Sequence, residues 1–145
     1  MQALLPVILV GLISGVAVGL QSPLASMITQ RLGTLESIFI IHIGGALLIA
    51  IPLIFVGGGN LGNWRSLPWY ALLGGSMGLI VVGGVSFMIP RVGVATSITL
   101  IVAGQLVISS ILDHYGLLGV NIRPMDLPRI LGLVIVFVGA WLTVR

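Results

Sequence analysis

TLIVAGQLVISSILDHYG, residues Thr99 to Gly116, is long and apolar enough to cross a membrane, yet it carries Gln105, Ser109, Ser110 and Asp113. On a helix Gln105, Ser109 and Asp113 stand four residues apart and form one slowly drifting polar stripe. Hydrocarbon cannot satisfy such groups, so the stripe is expected to face protein or water and to mark a functional path.

The rest of the chain agrees with a membrane setting. Of 145 residues 58% are hydrophobic and 6% charged, against about 25% charge in a soluble domain, and mean hydropathy is +1.27. Apolar runs of roughly 20 residues match the thickness of the hydrocarbon core. Five are predicted, over about 4–29, 35–56, 67–89, 92–112 and 127–144, making one all-α integral membrane domain over 1–145. MQALLPVILVG has no basic n-region and reads as a retained first span.

There is no cysteine, which excludes disulfides and thiolate chemistry, and the two histidines are far apart. No metal or cofactor site is expected. Paired carboxylates and a nucleophile with a base are absent at helical spacing, so the chain does not read as an enzyme. Six scattered arginines suit lipid head groups and imply no nucleic-acid partner.

In the first span Gly11, Gly15 and Gly19 recur every four residues and are continued by Ser22 and Ser26, a close-packing face, and Ser14, Gln21 and Pro23 add neutral polarity and a freed carbonyl. Glu36 opens the second span, where a carboxylate favours the helix dipole. His42 lies about 10 Å further along, next to Gly44 and Gly45. An ionisable group at that depth is a candidate functional residue, the alternative being a neutral histidine bonded across a helix interface.

GGGNLGNWRS, Gly57 to Ser66, reads as a polar loop; Ser66 and Pro68 are expected to start the third span, and Pro90 with Arg91 to end it. Trp64, Trp69 and Tyr70 mark the interface. In the interfacial loop before the last span, Asp113 stands at a helix C-terminus and needs compensation. Arg123, or Arg91 of a partner, is the expected source, and Asp126 the expected N-cap of the last helix. Gly132 and Gly139 give that helix a packing face. No internal repeat is evident beyond the echo of GLI at Gly11 and Gly78.

Arginines divide evenly between the two membrane sides, Arg65, Arg123 and Arg129 against Arg31, Arg91 and Arg145. A chain without orientation bias is expected to insert both ways and pair as an antiparallel homodimer, or to find an oppositely oriented paralogue. Inversion would bring Gln105 of one copy to the level of Gln21 and His42 of the other.

GLISGVAVGLQSPL, LPWYALLGGSMG, VAGQLVISSILDHYGLLG and RPMDLPRILGLVIVFVGAWL resemble the bacterial YdcZ-like family, a half-size, five-helix branch of the drug/metabolite transporter superfamily. The resemblance covers essentially the whole chain. It implies a multi-pass inner-membrane transporter working by alternating access, completed to ten helices by a second copy. Related small multidrug exporters hold a carboxylate in the middle of the first helix, where this chain has Ser14 and Gln21. A cationic substrate therefore lacks a counter-charge, and a small neutral or zwitterionic metabolite fits better. Gln21, His42, Gln105, Ser109 and Ser14 are the expected path, with His42 and Asp113 as coupling or gating groups. The competing expectation is an accessory membrane subunit whose polar residues only bond across helices.

Overall fold

The computed structural model describes residues 4–144; Met1 to Ala3 and Arg145, the last member of the loop tally, lie outside the described residues. Five long helices follow in order: α1 Leu4–Leu32, α2 Thr34–Phe55, α3 Gly74–Val92, α4 Val94–Tyr115 and α5 Leu127–Val144. Among the described residues no strand occurs. All five segments are apolar enough to span a bilayer.

The fifth helix has the predicted bounds, and Asp126 caps it by accepting the N–H of Arg129 at 3.0 Å. Other ends differ. α1 and α4 each run three residues beyond their predicted stop, because helical hydrogen bonding continues past the apolar run into polar residues of the interface. The third span changes most. Pro68 precedes a 3-10 turn, Trp69–Leu73, and the α-helix starts at Gly74. Pro90 stands inside α3, which continues to Val92 although the proline removes the donor that would meet the Ser86 carbonyl. The polar loop also holds a 3-10 turn, Leu61–Ser66.

The chain divides into two compact units, the first ending at Pro90 and the second beginning at Arg91. In the first, α1 and α2 pack antiparallel, and Ser37 donates its hydroxyl to the Ala25 carbonyl across the pair at 2.8 Å. α3 lies along α2, with Gly78 against His42 and Gly83 against Ile38 and Thr34. In the second, α4 and α5 pack antiparallel, tied by a 2.8 Å bond from the Thr96 hydroxyl to the Thr143 carbonyl.

What these contacts bury inverts the usual core. The buried apolar residues are Ala25, Val85, Ala103 and Ala140, all small; the buried polar ones are Ser22, Ser26, Ser37, Ser86, Thr96 and Ser97. The large apolar side chains stay outside, as expected where lipid is as apolar as leucine and association depends on close backbone approach and hydroxyl bonds.

A repeat missed in the sequence emerges from this burial. Ala25, Ser26, Arg31, Gly33 and Ser37 correspond in order and spacing to Val85, Ser86, Arg91, Gly93 and Ser97. In both copies the first two residues and the last serine are buried, and Ser37 and Ser97 are both at 0% exposure. Each glycine is the sole residue between two helices. Gly33 has φ 121°, ψ 163° and Gly93 has φ 82°, ψ 170°, a region that only glycine visits readily. Each glycine carbonyl then accepts the N–H of the following serine, starting the next helix.

Candidate functional site

His42 is half-buried on α2, and its ring is held at both edges. Nδ1 lies 2.8 Å from the Ile38 carbonyl. A carbonyl can only accept, so a neutral ring carries its proton on Nδ1 and leaves Nε2 as a lone-pair acceptor. That Nε2 points at α3, 2.7 Å from where a Cβ on Gly78 would stand. The absence of a side chain at Gly78 makes the notch that admits the ring. Among the described residues Nε2 has no hydrogen-bond partner. Beside it, Leu35, Ile38, Phe39, Ile43, Ala46 and Leu79 line an apolar groove of about 380 Å³.

Within the first unit, Ser14 and Gln21 do not line the groove beside His42. Ser14 and Gln21 on α1, and Gln105 and Ser109 on α4, are exposed on the surface of the chain. With α4 running from Val94 to Tyr115, Gln105 falls within about 1 Å of its helix midpoint. At Gly11, Gly15, Gly19, Gly132 and Gly139 an added Cβ would meet nothing within 4 Å among the described residues beyond the local helix backbone.

Asp113 is compensated, but by a different arginine from the one expected. Arg129, in the first turn of α5, brings Nη2 to 3.3 Å from the Asp113 carboxylate and donates Nη1 to the Arg123 carbonyl at 2.9 Å. Arg123 contributes its backbone, donating its N–H to the Asp113 carbonyl at 2.8 Å. The Met125 N–H donates to His114 Nδ1 at 3.0 Å, so the loop between α4 and α5 is tied down at three points. About a third of each partner in the ion pair is exposed. A double-mutant cycle of Asp113→Asn and Arg129→Gln, read by thermal unfolding in detergent, is therefore expected to give a coupling of only about 0.2–1 kcal/mol.

Ser22 and Ser26 are buried as their place on the expected packing face implies, whereas the buried hydroxyls of Ser37, Ser86, Thr96 and Ser97 are what the sequence reading missed. Ser26 accepts from Gln30 at 3.2 Å and Ser22 donates to the Val18 carbonyl at 2.8 Å, whereas the buried Thr29 and Ser86 hydroxyl oxygens have no partner. The repeated pattern of serine, Arg-x-Gly and serine was the available signal.

A family profile described as "Putative inner membrane exporter, YdcZ" matches residues 6–142. The chain is also similar to "Inner membrane protein YdcZ" of Escherichia coli (strain K12), 30% identical over 135 residues, covering 91% of this chain and 90% of that protein. No solved structure matches the chain.

Proposed function

This chain belongs to the YdcZ family, and from that premise we propose that it is a multi-pass transporter of the inner membrane that moves a small, neutral or zwitterionic metabolite by alternating access. The working unit is a pair of oppositely inserted chains, and Ser14, Gln21, His42, Gln105 and Ser109 line its path. Asp113, anchored by Arg129, sits at the mouth.

The observation that carries this reading is the exposure of Gln21, Gln105 and Ser109 on membrane-length helices. An unsatisfied amide in hydrocarbon costs several kcal/mol, on the order of a whole helix contact, so a second chain or a water-filled path must meet these groups. Glycine faces on α1 and α5, where an added Cβ would meet no neighbouring helix among the described residues, supply surfaces for such a partner.

Orientation tests it directly. A cysteine placed at Gly59, in a chain with no native cysteine, is labelled with an impermeant thiol reagent in intact cells and again after permeabilisation. Labelling of about half the protein from outside is the expected result for chains inserted both ways. Labelling of all or none would sink the homodimer and favour an oppositely inserted paralogue or an accessory subunit.

A further inference from the structure

His42 has a lone pair, an apolar groove beside it and no counter-charge. α3 meets it with Gly78 and presents Leu79 and Gly83 along the same contact, none of them ionisable. α1 meets α2 at Ala25 and Ser37, and its sole ionisable residue among those described is Arg31 in the last turn. On α2 itself the other ionisable group, Glu36, has its carboxylate folded over Gly33. A proton taken up by Nε2 would thus create a cation in hydrocarbon with no anion of this unit beside it, which is costly unless something else supplies the charge.

We propose that the ligand supplies it: the His42 notch and its groove form a proton-linked site for a small weak carboxylic acid with an apolar body. One proton from solution joins Nε2, and the imidazolium so formed donates that N–H to the carboxylate oxygen of the ligand. Neutral histidine, carboxylate anion and proton become an ion pair of zero net charge, so no uncompensated charge is left in the membrane. Leu35, Phe39, Ile43 and Leu79 take the apolar body, and about 380 Å³ suits a single ring or a short chain. Nδ1, held by the Ile38 carbonyl, fixes which nitrogen receives the proton. The site gives the neutral-substrate reading a chemical class and rests on that reading for its place in a transport cycle; binding itself does not depend on it.

Titration calorimetry of the purified full chain in nanodiscs tests binding, with benzoate as the probe, benzamide and benzylammonium as controls, and two buffers of different ionisation enthalpy to count protons. The expected result is benzoate binding with uptake of one proton, weakening as the pH is raised. His42→Gln is expected to weaken benzoate about tenfold or more, the worth of a charge-assisted hydrogen bond, and to abolish the proton uptake. Absence of benzoate binding, binding without proton uptake, or tighter binding of benzylammonium would each overturn the site. If His42→Gln does not fold, the proton count on the unaltered chain decides. Uptake of labelled benzoate into proteoliposomes separates the two readings: binding without uptake overturns transport and leaves the site standing, while uptake and binding undiminished by His42→Gln do the reverse.

Discussion

Gly33→Ala and Gly93→Ala are each expected to lower the thermal stability of the protein sharply, with Gly33→Ala the more damaging. Both glycines join two helices alone, so no neighbouring loop residue can absorb an altered dihedral angle. Their φ of 121° and 82°, paired with ψ near 165°, places any L side chain against its own backbone. Strain of this kind costs on the order of 1–3 kcal/mol per residue. At Gly33 a Cβ also meets the Glu36 carboxylate, which must leave the turn. The measurement is the melting temperature by fluorescence-detected size exclusion in mild detergent. Gly104→Ala provides the contrast: this residue is inside α4 with open space where its Cβ would be, so alanine is expected to be neutral or stabilising by up to about 1 kcal/mol. Equal losses at all three positions would show that glycine matters here for some reason other than the turn.

Gly78→Val is expected to expel the His42 ring from its notch. A Cβ alone would lie 2.7 Å from Nε2, and valine adds two branches. The ring must swing away, giving up the Nδ1 bond to Ile38, or α3 must withdraw from α2. Overpacking of this kind typically costs about 1–3 kcal/mol. Nitrogen chemical shifts of the imidazole report it directly: the unaltered protein is expected to show one tautomer with the proton on Nδ1, and the variant a mixture. Gly84→Val, where nothing stands within 4 Å of the Cβ, should leave the histidine spectrum unchanged. A single Nδ1–H tautomer persisting in Gly78→Val would mean that the notch does not hold the ring.

The helices were legible because crossing hydrocarbon imposes a length and a composition that few other structures share. Their ends were legible only where a side chain marks them, as Asp126 does for α5. Pro90 misled because a proline removes one hydrogen bond from a helix without necessarily ending it, and α3 runs two residues further. At the site, His42 stood out as an ionisable group deep in an apolar run, whereas Gly78 was hidden among neighbouring glycines until its contact with Nε2 was seen. Arg129 was overlooked beside Asp113 because it lies in the next helix; antiparallel packing of α4 and α5 closes a separation that the sequence leaves open. Ser22 and Ser26 were legible because they continue the glycine spacing of the first span, but the buried hydroxyls of Ser37, Ser86, Thr96 and Ser97 were overlooked for a different reason. Serine is only mildly polar and common in membrane spans, and nothing in a single serine says that it faces another helix.

The inverted core has a consequence for how such chains diverge. A leucine that faces lipid can become isoleucine, valine or phenylalanine with no neighbour in the protein to disturb, whereas Ser37, Ser97, Ala25 or Gly33 has no substitute of equal size and bonding. Drift is therefore expected to be fast across the abundant large residues and slow at a few small ones, the reverse of a water-soluble domain, where the bulky interior is held and the exterior wanders. Thirty per cent identity over 135 residues with the E. coli relative is compatible with one architecture on those terms. Ancestry in this family should be sought in the spacing of serine, glycine and arginine, the positions that lipid cannot replace.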